Sequence, residues 1–246
     1  MEKNLLTRQV LALSASAILL AAASGRAAVV ITEVDPSGSS STSNTYNADW
    51  FELTNTGATA VDITGWKMDD NSHDITKAVA LRGVTSLAAG QSVVFAEGLA
   101  DGSTDSTIDG NFKNFWFGSN VPAGFVMGNY GGTGVGLSQT ADEVNIYDST
   151  GAEVVGVGFG TTGLGVSLDD LAGVGSATQP DPIISTNSVV GVNGAFASFG
   201  TGTGTSAGIN EVGSPGIAVA APEPASLLML GMGAGLLSFR RSAKKA

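Results

Sequence analysis

Glycine interrupts this chain so often that long helices are nearly excluded from its middle. The 246 residues include 35 glycines, and few windows between the two ends are long enough without one to hold a stable helix, since an interior glycine costs about 1 kcal/mol relative to alanine. The stretches between glycines are short and rich in β-branched and aromatic residues: "AVVITEV" (28–34), "DWFEL" (49–53), "AVDITGWKM" (60–68), "SVVFAE" (92–97), "EVNIYD" (143–148) and "EVVGVGFG" (153–160). In "DWFELTN", Phe51, Leu53 and Asn55 fall on one side and Trp50, Glu52 and Thr54 on the other, the period of a half-buried strand. The separators "NTGAT", "AAGQ" and "DSTGAE" read as turns. The last joins two strand-like runs as a hairpin, with Gly151 free to take positive φ. Many short strands with glycine-rich turns predict an all-β, antiparallel sandwich or barrel.

Two stretches depart from the strand pattern. In "STIDGNFKNFWFG", Ile108, Phe112, Phe115 and Trp116 share one helical face and Gly118 is placed to stop the helix. "SHDITKAVALR" fits a short helix or a strand equally well.

The ends have a different character. Lys3 and Arg8 precede an apolar run from Val10 to Ala23, and small residues follow. This is the order of a secretory signal peptide over residues 1–27, with cleavage after Ala27, or alternatively after Ala23. At the other end, Ala225 to Phe239 carries no charge and is followed by Arg240, Arg241, Lys244 and Lys245. As a helix it would span about 22 Å, short of the ~30 Å hydrocarbon core. The basic residues read as a cytoplasmic stop for a single transmembrane helix over 225–239, with the basic tail at 240–246. Directly before that segment stands Pro222-Glu223-Pro224, held extended because proline disfavours helix at itself and at the preceding residue. The triplet, the glycine-broken apolar segment and the Arg240-Arg241 pair together resemble the PEP-CTERM sorting signal of Gram-negative bacteria, over 222–246. The resemblance implies recognition by an integral-membrane exosortase, transient residence in the inner membrane, removal of the tail, and release or anchoring at the cell surface.

Roughly 190 residues, 28–217, remain for the folded body, enough for one domain, with 218–221 as a linker. From Ala28 to Ala221 the chain has 20 acidic residues against Lys67, Lys77, Arg82 and Lys113, a balance of −16. Such a body repels nucleic acid and anionic lipid. There is no cysteine, which excludes disulfides, thiolate-bound metals and thiol nucleophiles. Within the body, "VVITEVDPSG", "DWFELTNTGATAVDITGWKMDD", "TSLAAGQSVVFAEG" and the later "GSPG" resemble the lamin-tail domain, an immunoglobulin-like β-sandwich. The most specific part surrounds Trp50, Glu52, Leu53, Asn55, Gly57, Asp62, Gly65 and Trp66. The chain departs from a minimal domain by a long middle, about Asp101 to Gly136, and by Gly/Ser/Thr-rich material from Gly160 to Gly213. In bacteria the resemblance implies an accessory module of extracellular proteins, and no partner nuclease or phosphoesterase fits in this chain.

Catalytic patterns are absent from the sequence. His73 is the single histidine, set in polar "DDNSHD", and reads as an exposed loop residue; without cysteine it builds neither a His-based zinc site nor a Ser-His triad unaided. Asp101, Asp105 and Asp109 are calcium candidates, as are Asp69, Asp70 and Asp74, though the EF-hand spacing fails. Asp142-Glu143 at a strand start reads as edge protection. Gly202-x-Gly204-x-x-Ala207 matches a dinucleotide fingerprint without its βαβ setting. Trp50, Trp66 and Trp116 offer sugar-stacking surfaces, but each lies in an apolar pattern that assigns it to the core.

The expectation is therefore an exported, exosortase-processed surface or extracellular-matrix protein with a structural or adhesive role. It has no catalysis of its own, no catalytic residues and no obligate cofactor. Its partners would be the sorting enzyme and extracellular polysaccharide. The alternative is an extracellular binding module for carbohydrate or calcium.

Overall fold

Each of the six strand-like runs read from the sequence overlaps at least one strand. The structure, a computed structural model, describes residues 29–38, 44–170, 174–203 and 207–217. In chain order the elements are β1 (Val29–Asp35), β2 (Trp50–Asn55), β3 (Val61–Asp62), β4 (Lys67–Asp69), β5 (Val79–Ala80), β6 (Ser86–Leu87) and β7 (Ser92–Gly98). A helix, α1 (Asp105–Phe117), follows, and then β8 (Met127–Gly131), β9 (Asp142–Tyr147), β10 (Glu153–Phe159), β11 (Leu168–Asp169), β12 (Ile183–Ile184), β13 (Phe196–Ala197) and β14 (Val212–Gly213). The β9–β10 hairpin turns through Gly151 at φ 86°. The ambiguous "SHDITKAVALR" is a turn followed by β5.

Two five-stranded sheets face each other, ordered β11-β1-β2-β7-β8 and β12-β10-β9-β4-β5. Between them Ile31, Phe51, Leu53, Met68, Phe95, Val144, Ile146 and Val157 form the sandwich core. This is an all-β, immunoglobulin-like fold, but its sheets are mixed rather than purely antiparallel: β7 pairs with β8, and β10 with β12, in parallel. The β7–β8 pair has a physical origin in the long middle of the chain. Parallel neighbours need a crossover, and α1 supplies it.

That crossover also overturns the half-buried reading of β2, all six residues of which are buried. Ile108, Phe112, Phe115 and Trp116 of α1 lie on Trp50, Val94, Ala96 and Met127 from the outer face of the first sheet, forming a second core. Trp50 and Trp116 meet edge-on, with ring centroids 5.9 Å apart, and Phe196 joins Trp116 at 5.6 Å. Packing of this kind, not propensity, holds a helix that contains Gly110. It ends, as predicted, at Gly118, whose φ is 58°.

The Gly/Ser/Thr-rich material after Gly160 covers the rest of the first sheet's outer face. β11 extends that sheet beside β1, the backbone N–H groups of Phe199 and Gly200 bond to the carbonyls of Trp116 and Phe115, and Ser92 Oγ donates to the Ile217 carbonyl at 2.9 Å. The described residues, 29–217 with three short gaps, belong to one compact unit. Among the described residues no helix is long and apolar enough to cross a membrane. The signal peptide, the cleavage position Ala27, the linker 218–221, Pro222-Glu223-Pro224, the apolar segment 225–239 and the basic residues Arg240, Arg241, Lys244 and Lys245 lie outside the described residues.

Candidate functional site

Acidic side chains are buried on the outer faces of both sheets. On the first, β1 turns Glu33 outward and β2 turns Glu52 outward, under the returning C-terminal segment. Glu33 accepts hydrogen bonds from Ser167 Oγ, from the Ser214 N–H at 2.8 Å and from Ser214 Oγ at 3.1 Å. Glu52 accepts from Thr32 Oγ1 and from the Gly216 N–H, each at 2.6 Å. Glu211 accepts from Asn44 Nδ2 at 2.7 Å and from Tyr46 Oη at 2.6 Å. Burial, followed by repulsion from Glu52, pushes the Glu33 carboxyl up to about 8. Burial pushes Glu52 to about 7, and burial with repulsion from Asp35 pushes Glu211 to about 8. These groups fasten the second half of the body to the first.

The outer face of the second sheet differs. Strand pairing places Asp69, Asn145 and Gly156 in one row across β4, β9 and β10, and Lys67, Tyr147 and Glu153 in the row two residues away. Residues in these rows share the outer face, while Met68, Ile146 and Val155 point into the sandwich core. Two loops cover the rows. The turn after β4 brings His73, held at φ 48°. The segment before β12 crosses Gly156 through paired backbone bonds with Ser176 and brings Gln179 and Asp181.

His73 Nε2 lies 3.0 Å from Glu153 Oε2, its Nδ1 is 3.0 Å from Gln179 Nε2, and Glu143 Oε2 stands 4.0 Å from Nδ1. One nitrogen of His73, one oxygen of Glu153 and one of Asp181 lie within 4.8 Å of one another, the one such cluster of three ligand-type side chains among the described residues. Asp181 is only 9% exposed. Burial, with repulsion from Glu153 and Glu143, pushes its carboxyl up to about 6. Burial and the acids around it, Glu153 first, push Tyr147 up to about 12. One imidazole and two carboxylates at this spacing are a donor set for a divalent cation.

The sequence-level calcium candidates do not converge. Asp101 accepts from the N–H and Oγ of Ser103 in its own turn. Asp105 forms a bidentate pair with Arg82 at 2.9 and 2.8 Å. Asp109 accepts from Asn129 Nδ2 at 3.1 Å. Asp70 and Asp74 cap their own turns through Ser72 and Thr76, and Asp69 accepts from Ser72 Oγ and the Asp74 N–H. Asp142 caps the approach to β9 by accepting from the N–H groups of Asn71 and Ser138. Trp50, Trp66 and Trp116 are all buried, as the apolar patterns indicated.

His73 is the correction: it is half-buried and paired, not a free loop residue. Nothing in local spacing announces this, because Glu153 and Asp181 stand 80 and 108 positions further along the chain. The available signal was the β9–β10 hairpin, whose turn through Gly151 puts Glu153 opposite Tyr147.

A family model described as Lamin Tail Domain matches residues 22–161. No curated protein matches the chain. The match takes in both sheets through β10 and all of α1, and it ends before the segment that supplies Asp181 and closes the first sheet's outer face.

Proposed function

The chain belongs to the lamin tail domain family, a family of structural, immunoglobulin-like, non-catalytic modules, and from that premise we propose that it is an exported structural or adhesive protein of the cell surface or extracellular matrix. The body crosses the inner membrane behind the signal peptide of residues 1–27. An exosortase-type enzyme then acts on Pro222-Glu223-Pro224, and the protein is released or anchored outside, where extracellular polysaccharide is its nearest partner. It carries no catalysis and binds no nucleic acid.

The observation that supports this reading most directly is where the body closes. Its C-terminal segment is fixed to the sheet as far as Gly216 and Ile217 by bonds to Glu52 and Ser92, so the described fold closes five positions before Pro222 in sequence.

Expression in an exosortase-containing host, followed by mass spectrometry of the mature protein, tests the reading. The expected product begins at Ala28 and lacks the basic tail. A product still ending at Ala246, or normal processing after Pro222-Glu223-Pro224 is changed to alanines, would overturn it.

The alternative reading, an extracellular binding module, divides on the structure. A sugar platform built on Trp50, Trp66 or Trp116 would require buried rings to reach solvent. Cation binding gains support from the acidic second face, though through residues other than Asp101, Asp105 and Asp109.

A further inference from the structure

We propose that the outer face of the second sheet is a binding site for a divalent cation of the zinc type, held by one nitrogen of His73 and one carboxylate oxygen each from Glu153 and Asp181. This proposal is independent of export and processing.

A hydrogen bond between His73 and Glu153 is the simpler account, and it leaves most of the site unexplained. That bond satisfies only Glu153 Oε2. Eleven buried side-chain polar atoms have no hydrogen-bond partner among the described residues, and six belong to this one face: both oxygens of Asp181, Glu153 Oε1, Asn145 Oδ1, Asp69 Oδ1 and Tyr147 Oη. An unpaired buried acceptor costs about 1–3 kcal/mol, and more when charged, so six on one face form a pattern that calls for a shared partner. All but one of the six are acceptors that carry no hydrogen of their own when the acids are ionised. Such a set is matched by a cation, not by further acceptors.

Gly156 sharpens the geometry. A Cβ at this position would stand 2.3 Å from Asp181 Oδ2 and 2.4 Å from Asn145 Oδ1. The two oxygens therefore converge on the same spot above the sheet, which is open only because residue 156 has no side chain. Asn145 is fully buried, and its orientation is set by the Nδ2 bond to the Asp70 carbonyl at 2.8 Å. That bond leaves Oδ1 directed at the site.

The donor set selects among cations. Calcium takes six to eight oxygens and has little use for imidazole. An imidazole with two carboxylates suits zinc and its first-row neighbours, with remaining positions open to solvent or to Asn145 Oδ1. The other charges near this face are Glu143, Asp69, Asp70 and Asp74, against Lys67, which makes no ion pair with Glu153 or Asp181, and Lys77, which lies 3.9 Å from Asp74. The surrounding field therefore favours a cation.

The test uses the full chain, purified without a polyhistidine tag, stripped with EDTA and titrated separately with Zn2+, Mn2+, Ca2+ and Mg2+. Zn2+ is expected to bind at one equivalent and, at a hundredfold excess over Kd, to raise Tm by roughly 5–10 °C. Since the chain has a single histidine, its imidazole proton signals report on His73 alone, and Zn2+ must shift them. His73→Gln and Asp181→Asn should each weaken Zn2+ binding by about tenfold or more. Asp181→Asn should also melt higher than the unaltered chain in EDTA, because it removes a buried charge, so this variant remains informative if another fails to fold. Absence of stoichiometric Zn2+ binding, unchanged imidazole signals, or undiminished binding in both variants would overturn the proposal. A Tm rise with Ca2+ but not Zn2+ would overturn it as well, in favour of an oxygen-only site.

Discussion

On the outer face of the first sheet, Glu33, Glu52 and Glu211 are buried with both oxygens of each carboxylate hydrogen-bonded; on the outer face of the second, Asp181 is buried less deeply and neither of its oxygens is bonded. Chain that follows the hairpin β9–β10 helps to cover both faces, beside α1 on the first and the turn after β4 on the second, and among the described residues none of Glu33, Glu52, Glu211, Glu153 and Asp181 pairs with a lysine or arginine. The difference lies in what the covering segment brings. Over the first sheet it supplies the donors Ser167, Ser214 and the Gly216 N–H, and the acid it brings, Glu211, meets Asn44 and Tyr46, so these acids become fasteners. Over the second it supplies an acid, Asp181, whose oxygens meet no donor. Burial of a carboxylate therefore has two distinct meanings in one molecule, and the count of satisfied oxygens separates them.

The largest way to break this comparison is to remove the cover of the first face. Trp116 touches Trp50, Phe112, Phe115 and Phe196, so it joins sheet, helix and C-terminal segment. Trp116→Ala is expected to cost about 3–5 kcal/mol in denaturant unfolding and to open residues 186–217 to limited proteolysis. The Zn2+-dependent rise in Tm should survive in whatever fraction folds. If proteolysis instead begins at the second face, the two covers are not independent.

A pH titration probes the fasteners directly. The ordinary carboxyl value for Glu33, Glu52 and Glu211 is 4.5, and in the fold they lie at about 8, 7 and 8. Raised values mean that the folded state binds more protons than the unfolded state. The stability they add is complete below about 4.5 and is lost as pH rises through 7 to 8. Asp62, Asp74, Asp101 and Asp148 act in the opposite direction, since turn hydrogen bonds lower them below 3.8. Tm should therefore peak near pH 4–5 and fall as pH rises to 8. Glu33→Gln should flatten that slope, and a Tm that climbs from pH 5 to pH 8 would contradict the assignment.

At the second face, Gly156→Ala places a methyl carbon where Asp181 Oδ2 and Asn145 Oδ1 converge. Overpacking of this kind costs about 1–3 kcal/mol. Displacement of the 176–182 strap should also abolish the Zn2+ response, so a variant that loses stability but keeps full Zn2+ affinity would move the site away from Asp181.

These effects divide along the same line as what was readable from sequence. The strand β2 was legible from the alternation of Phe51 and Leu53 with Trp50, Glu52 and Thr54, and so were α1 and its stop at Gly118. The burial of β2 on both faces was not. Periodicity reports which residues share a face, and says nothing of what covers that face from position 105 or 214. β8 was invisible for a related reason: "MGNYG" has no β-branched residue, and it forms a strand because α1 delivers it to the edge of β7. The polar neighbours of His73 in sequence point to an exposed loop. Its partners reach it only through the β4–β9–β10 register and a strap that starts after position 174.

The smallest effect concerns the backbone of His73. At φ 48° it occupies the left-handed region, which glycine enters without strain and other residues enter at a cost of about 1–2 kcal/mol. In EDTA the side chain gives little in return, because its contact with Glu153 is partly solvent-exposed and such contacts contribute about 0–1 kcal/mol. His73→Gly should therefore melt within a degree or two of the unaltered chain, while His73→Ala, which loses the contact and keeps the strain, should lie about 1 kcal/mol lower. Zn2+ should separate all three, raising the Tm of the unaltered chain and leaving both variants nearly unmoved. A turn selected only for its shape would be served by glycine, so retention of the Zn2+ shift in His73→Gly would reduce His73 to a turn residue and return this face to a bare cluster of acids.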